Sequence, residues 1–551
     1  MPSVGEVVCL IGFVLLMLAP SVYGLHLYVL LVLTQWRQRE VRARQAKAIA
    51  DFQARTPDRD WPLVTTQIPL YNELTVARRI ILAVAAIEYP RGRHEIQVLD
   101  DSDDDTRRIV DETVAELLAA GHDIRVIRRP TREHFKAGAL EHGLRLARGE
   151  YIAVFDADFV PQPGFLRRMI PLIVARPEAG CVQGRWGHLN ADESWVTSGL
   201  SLGMNGHFAV EQPGRAWSGF LLNFNGTGGV WRRAAIEDPR VGGWSGDTIT
   251  EDLDLSYRAQ LAGWQVEYTM DECCPAEVPS DVDAVKTQQR RWATGSIQTA
   301  RKLLPTVWRS PLTIAQKLEA TIHLTSYCVS VFMLLMAGLG QLLLLGVSRE
   351  VAAPFLGWTW GIVLMATLAP ITAYAYSAYM LGEGLVSPLR VLRLMVLGMG
   401  LAVNNTFAVI VGLLTRGGTF VRTPKSGRVD APSATSVLPT AAAHAVRPAA
   451  SRPVYAAIRS QLYLLELVLG VFCLVQVAWL LTIHPNVGAA VFMSLYATGF
   501  LLLGWSSRPR NLVRNAELST SSVHARSAQT SGAAAAASAP AGATVSLPAA
   551  E

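Results

Sequence analysis

Cysteine is scarce, with six in 551 residues. Cys9, Cys181, Cys273, Cys274, Cys328 and Cys473 show no C-x-x-C spacing, and Cys328 and Cys473 fall in apolar runs. Neither a zinc site nor a disulfide framework is indicated. The eleven histidines are scattered, so buried or surface imidazoles are their default reading. An excess of one charge is also missing: +5 is small for this length, and no groove of Lys and Arg interleaves with aromatics. Nucleic acid is therefore not an expected partner. From residue 10 to residue 33 there is no Asp, Glu, Lys or Arg at all. That run is long enough to cross a hydrocarbon core about 30 Å thick. A cleaved signal is disfavoured because the basic residues Arg37, Arg39, Arg42, Arg44 and Lys47 follow the run instead of preceding it. They put its far end in the cytoplasm.

What is abundant is apolar character, 50% of residues, with a mean hydropathy of +0.25. The lipid bilayer is accordingly the first partner, and the chain reads as multi-pass. Further spans are expected at residues 325–347, 351–381, 462–481 and 487–505. Residues 388–414 are apolar too, but Arg390, Arg393, Asn404 and Asn405 interrupt them. Counting crossings from a cytoplasmic start leaves this stretch as an interfacial helix. The predicted organisation is an N-terminal span (1–35), a connector (36–60), a cytoplasmic α/β domain (61–300), interfacial helices with two spans (301–414), a segment plus flexible linker (415–455), two spans (456–506) and a low-complexity Ala/Ser/Thr tail (507–551).

Between residues 61 and 160 short apolar runs alternate with amphipathic stretches. Residues 64–68, 96–99, 124–127 and 151–155 read as strands buried on both faces, and 75–87, 106–119 and 138–146 as helices. Right-handed crossovers then build a mostly parallel, Rossmann-like sheet whose ligands collect at the carboxyl ends of the strands. Tyr71 and Glu73 follow the first strand, Asp100 and Asp101 end the second, and Asp156-Ala157-Asp158 ends the fourth. Residues 181–244, with Phe224-Asn225-Gly226-Thr227, read either as a loop-rich acceptor surface or as ordinary turns around a second sheet layer.

The D-x-D pair Asp156 and Asp158 can hold Mg²⁺ or Mn²⁺ against a diphosphate, or it can be merely solvated. Asp100 and Asp101 are placed to accept from a base or ribose, whereas Asp103, Asp104 and Asp105 cap a helix. Lys136 sits where a phosphate could meet a helix start. Glu251 and Asp252 begin a helix. They either compensate its dipole or project Asp252 into the cleft as a base for an acceptor hydroxyl. The Gln288-Gln289-Arg290-Arg291-Trp292 run offers phosphate donors and a stacking face, or else a basic interfacial helix with a Trp anchor.

In this order and spacing the motifs resemble the membrane-embedded members of glycosyltransferase family 2, specifically the cellulose synthase superfamily. They are most similar to plant cellulose-synthase-like mannan and glucan synthases and bacterial relatives. The resemblance is carried by Gln67-Ile68-Pro69-Leu70-Tyr71-Asn72-Glu73, Gln97-Val98-Leu99-Asp100-Asp101-Ser102, Phe135-Lys136-Ala137-Gly138-Ala139-Leu140 and Phe224-Asn225-Gly226-Thr227. It implies a GT-A domain between membrane helices and an inverting, processive β-glycan synthase of the plasma (inner) membrane, its catalytic domain cytoplasmic, exporting its polymer. A non-processive transferase to lipid and a non-catalytic scaffold or transporter are the alternatives. By the same resemblance Tyr71, Glu73 and Asp101 hold the nucleoside, and Lys136, Asp156, Gln288 and Arg291 the diphosphate. Asp158 ligates the metal, Asp252 is the base with Glu251 beside it, and Trp292 stacks on the growing glycan acceptor. Asn225, Gly226 and Thr227 belong to the acceptor side. Phe420, Thr423 and Lys425 resemble a gating loop, with Arg422 where that pattern has Val. UDP-glucose or GDP-mannose is the donor implied, and accessory export subunits are conceivable partners. The resemblance does not extend to the cyclic-dinucleotide-binding barrel of bacterial cellulose synthases.

Overall fold

The computed structural model describes residues 2–418, 425, 427, 461–483 and 486–509. Seven strands form one sheet: β1 (Val64–Leu70), β2 (His94–Asp100), β3 (Ile124–Ile127), β4 (Tyr151–Val154), β5 (Ala179–His188), β6 (Gly229–Arg232) and β7 (Gln265–Ala276). Their order is β3-β2-β1-β4-β6-β5-β7. The pairs β1–β2, β1–β4 and β2–β3 are parallel, as is β5–β7, while β6 runs antiparallel to both β4 and β5. Alternation along β4 shows how the sheet feeds two cores. Tyr151, Ala153 and Phe155 pack with Ile68, Ile80, Val110 and Ile170 on one face, and Ile152 and Val154 with Leu140, Phe224, Trp231 and Tyr268 on the other. A sheet covered on both faces explains why the strands read as near-continuous apolar runs.

The first four strands and the helices Ala77–Ala85, Thr106–Ala119 and Phe135–Leu146 lie where the hydrophobic periodicity predicts them, within a few residues. The second half differs from expectation. Residues 181–244 hold most of β5, the helix Trp195–Gly206, a π-helical turn His207–Glu211, a short helix and β6, and β7 was not anticipated. Two glycines of this stretch, Gly184 and Gly187, are sheet glycines, whereas Gly226 keeps a turn conformation at φ 81°. A Cβ on Gly187 would sit 2.6 Å from Cys273 Sγ, and one on Gly184 would sit 3.0 Å from the Glu272 carbonyl. Both lie where β5 meets β7, beside a register shift between Gly184 and Arg185.

A single helix runs from Val4 to Arg55, so the apolar span and its polar connector are continuous. Among the described residues four further segments are long and apolar enough to cross a membrane: Ser326–Leu343, Gly361–Met380, Tyr463–Thr482 and Val487–Ser506. The stretch predicted as interfacial is two helices, Pro388–Gly400 and Ala402–Leu414, bent by 45°, a geometry that suits a broken span or a re-entrant turn.

Candidate active site

The carboxyl ends of β1, β2, β4 and β5 face a cleft of about 170 Å³, open to solvent. Tyr71 and Glu73 after β1, Asp101 after β2 and Asp156 and Asp158 after β4 line it. Lys136, in the first turn of Phe135–Leu146, enters from one side. His134 and Phe135 take φ of 56° and 47°, a region unusual for residues with a Cβ, and this turns the chain abruptly into the helix. Lys136 Nζ lies 2.6 Å from Asp156 Oδ1, 2.9 Å from the Gly226 carbonyl and 3.6 Å from Glu251 Oε1. Burial pulls the Lys136 ammonium down, but the charges of Asp156, Glu251 and Asp252 outweigh it and raise it above the ordinary lysine value.

Opposite Lys136, Glu251 and Asp252 open the Glu251–Leu261 helix. Asp252 Oδ1 accepts from the Leu253 amide at 2.8 Å. Among the described residues no Lys or Arg nitrogen lies within 4.0 Å of Asp252. Burial first, and then the adjacent Glu251 charge, push its carboxyl up to about 7 despite Lys136. Gly226 is the contact that lets Asp252 in: φ is 81°, and a Cβ there would sit 2.7 Å from Asp252 Oδ2. Thr227 is buried, with its Oγ1 accepting from the Asp156 amide at 2.9 Å. Gly226 and Thr227 therefore form the floor beneath the carboxylates, and of the three residues expected on the acceptor side only Asn225 lines the cleft.

Asp100 is the main difference from the expected set. It is 1% exposed and engaged by the Ser102 amide at 3.1 Å and Arg128 Nε at 2.8 Å, so it braces the loop after β2 instead of facing a nucleotide. Asp101 does line the cleft, held by Arg129 Nη2 at 2.5 Å. Asp158 Oδ1 accepts from Lys425 Nζ at 2.8 Å, and the same ammonium lies 3.3 Å from Glu73 Oε1. Phe420 and Thr423 lie outside the described residues.

The helix Val282–Arg309 shows why its sequence supported two readings. At about 100° per residue, Gln288, Arg291, Trp292 and Gly295 share one face, and Lys286, Arg290 and Thr294 the other. The first face meets the cleft through Gln288, Arg291 and Trp292, with Gly295 pressed against Thr250. The second docks on apolar helices that could enter a membrane: Lys286 Nζ to Glu466 at 2.6 Å, Arg290 Nη2 to Asn404 Oδ1 at 3.0 Å and Thr294 Oγ1 to the Ala408 carbonyl at 3.2 Å. Asn404 and Asn405, which seemed to interrupt an apolar stretch, lie buried in this interface.

Several lining residues were not singled out from sequence. Arg132 stacks 3.3 Å from the centre of the Tyr71 ring. Trp186 and His188, at the end of β5, form a wall, and Trp186 packs between Phe159 and Phe208 at centroid distances of 4.9 and 5.0 Å. Glu277 pairs with buried Arg79 at 2.7 Å. An assignment of β5 and β7 as strands would have placed Trp186, His188 and Glu277 at strand ends.

Among the described residues seven carboxylates (Glu73, Asp101, Asp156, Asp158, Glu251, Asp252, Glu277) and four cations (Arg132, Lys136, Arg291, Lys425) line the cleft, with Arg129 and Arg79 pairing Asp101 and Glu277 from behind. An anionic diphosphate entering such a site calls for a further positive charge. Among the described residues no group of three or more His, Cys, Asp or Glu forms a metal cage. A two-carboxylate set suits Mg²⁺ or Mn²⁺, which take phosphate and water oxygens for the rest of their shell. The Lys425 ammonium between Glu73 and Asp158 already occupies the kind of position a cation would take.

Residues 62–295 match the family model described as "Glycosyltransferase like family 2". The chain is similar to "Glucomannan 4-beta-mannosyltransferase 2" of Arabidopsis thaliana, 36% identical over 307 residues, covering 55% of this chain and 56% of the relative. It is 38% identical over 288 residues to "Glucomannan 4-beta-mannosyltransferase 1" of Oryza sativa subsp. japonica, covering 51% and 55%. The chain thus spans about half the length of the curated relatives it matches. Among solved structures it is similar to a mannosyltransferase from Pyrobaculum calidifontis in complex with GDP-Man and Mn²⁺, at 18% identity and a TM-score of 0.41, covering 70% of this chain and 98% of that one.

Proposed function

We propose that this chain is an inverting, processive β-hexosyltransferase of the mannan-synthase type, which takes GDP-mannose as donor and a growing β-1,4-glycan as acceptor. The observation that carries the reading is Asp252: a carboxyl held near neutrality, free of ion pairs among the described residues, set across Gly226 from the Lys136–Asp156 pair. In the ionised form it takes the proton of the acceptor hydroxyl as that oxygen bonds to the anomeric carbon from the face opposite the leaving group. The bond from that carbon to the diphosphate oxygen breaks, and the nucleoside diphosphate departs carrying the electron pair. Lys136, Gln288 and Arg291 donate to the diphosphate, and Arg291 can do so in a fork. Trp292 gives a face on which the acceptor ring stacks. Bound at Asp158 with Asp156, Mn²⁺ or Mg²⁺ would neutralise the leaving diphosphate.

The relatives' names favour mannose over glucose, and the adjacent carboxylates of Asp156 and Asp158 on the cleft support the metal. The candidate spans beside the Val282–Arg309 helix support a plasma-membrane enzyme with the catalytic domain in the cytoplasm and the polymer leaving through the helices, alone or with accessory subunits. Membrane vesicles given labelled GDP-mannose or UDP-glucose, each with Mn²⁺ or Mg²⁺, test this. A polymeric, β-1,4-linked product from GDP-mannose is expected. A product soluble in chloroform, or no transfer from either donor, would overturn the reading.

A further inference from the structure

His188 closes β5 and stands on the cleft wall between Trp186 and the Ala276–Ser280 segment. Its two ring nitrogens have different fates. Nε2 lies 3.1 Å from Asn205 Oδ1. Asn205 is 2% exposed, and its amide nitrogen donates to Glu383 Oε1 at 2.7 Å. A carboxylate only accepts, so the nitrogen of Asn205 must face Glu383 and its oxygen must face His188. Nε2 therefore carries the proton. Glu383 is in turn fixed by Arg390 Nη1 at 2.5 Å, and Arg390 also donates to the Ser198 carbonyl and Ser201 Oγ, both at 3.1 Å. The arginine that broke the apolar pattern of residues 388–414 thus anchors a relay ending in the cleft.

The other nitrogen, Nδ1, is buried and has no hydrogen-bond partner among the described residues. Burial holds the imidazole down to about 4, so at neutral pH it stays uncharged and Nδ1 keeps its lone pair. A buried acceptor with a fixed tautomer and nothing to accept from is costly unless a ligand supplies a donor. Resting on the transferase reading of the cleft, we propose that His188 Nδ1 accepts a hydrogen bond from a sugar hydroxyl, with Trp186 as the neighbouring apolar face, and so helps select the orientation of a hexose in the cleft. Donor sugar and acceptor sugar offer the same hydroxyl chemistry.

Two replacements separate this role from a structural one, because each imitates one ring nitrogen. In His188→Asn the side-chain oxygen stands near the place of Nδ1, and the link to Asn205 is lost. In His188→Gln the amide reaches toward Asn205 in the place of Nε2, and the acceptor at Nδ1 is lost. The full-length protein in membrane vesicles is assayed for transfer as a function of donor and of a soluble β-1,4-manno-oligosaccharide. Oligosaccharide binding is read separately by tryptophan fluorescence of the same protein in detergent. His188→Gln and His188→Phe should weaken one of the two sugar dependences by roughly three- to tenfold, the size of one neutral hydrogen bond, and His188→Asn should recover most of it. A rise in the donor KM assigns the hydroxyl to the donor sugar, and a loss of oligosaccharide affinity assigns it to the acceptor. If Gln preserves both dependences while Asn loses them, or if Phe changes neither, the proposal is overturned. Should the unaltered protein bind the oligosaccharide with this same pattern yet transfer nothing, the sugar site stands and the transferase reading fails.

Discussion

The carboxylates behind β1, β2 and β4 and those of the Glu251–Leu261 helix face one cleft under different electrostatic regimes. On the first side each acid has a cation at hand: Asp101 with Arg129 at 2.5 Å, Asp156 with Lys136 at 2.6 Å, Asp158 with Lys425 at 2.8 Å. On the second, Glu251 shares Lys136 at 3.6 Å, and Asp252 has no Lys or Arg partner among the described residues. Acids paired in this way are held in position by their cations, which suits binding a nucleotide and a metal. An acid raised to about 7 exchanges a proton readily near neutral pH, which suits a base. If the division holds, the two sides should fail differently when damaged.

The largest failure is expected at the unpaired acid. Asp252→Asn keeps shape and polarity but removes the base, and transfer should fall on the order of 10²- to 10⁴-fold. Inhibition by added GDP should persist, since the paired side is untouched. Labelled-sugar incorporation in vesicles measures the first and GDP competition the second; loss of both together would erase the distinction. Asp158→Asn attacks the paired side. It should raise the Mn²⁺ concentration for half-maximal activity by at least about tenfold, as losses around a metal site do, and leave the pH profile in place. A Mn²⁺ titration that does not move would remove Asp158 from the metal.

The acidic limb of the pH profile sharpens the contrast further. Asp252 must be ionised to accept a proton, so kcat/KM should be half-maximal near pH ~7, level off about one unit above it and fall about tenfold per unit below. Burial is the larger cause of the raised value and Glu251 the next, so Glu251→Gln should carry this limb to lower pH. GDP inhibition should change little between pH 6 and 8 if the limb belongs to Asp252 alone. A limb that ignores Glu251→Gln would point to another titrating group.

Sequence legibility followed the same division. Strands β1 to β4 are flanked by amphipathic helices, so period-2 and period-3.6 patterns alternate cleanly, and Tyr71, Glu73, Asp101, Asp156 and Asp158 could be placed at strand ends before any coordinates. Asp100 could not be separated from Asp101. Adjacent residues on a strand point to opposite faces, but which one meets solvent depends on Arg128, 28 positions away in sequence. β5 is hard to read because Gly184 and Gly187 are small to admit a neighbouring strand, and small residues read locally as turns. Trp186 and His188 were lost with it. The Gln288–Trp292 run was ambiguous because one helix carries a cleft face and a membrane face, and a linear string does not announce which partner each face meets.

The smallest expected effect tests the pairing itself. The Lys425 ammonium is drawn between Asp158 and Glu73, where burial opposes its charge but the two carboxylates outweigh it and raise it above the usual lysine value. A divalent cation at Asp158 must displace or share with that ammonium, because both seek the same carboxylate oxygens. Lys425→Met keeps the length of the side chain and removes the competitor. It should lower the Mn²⁺ concentration for half-maximal activity by roughly threefold, the scale of a partly accessible ion pair, with Asp252's acidic limb unmoved. An increase in Mn²⁺ demand would mean instead that Lys425 steadies Asp158 for the metal, and the cation on the first side would then be a collaborator of the metal in place of its stand-in.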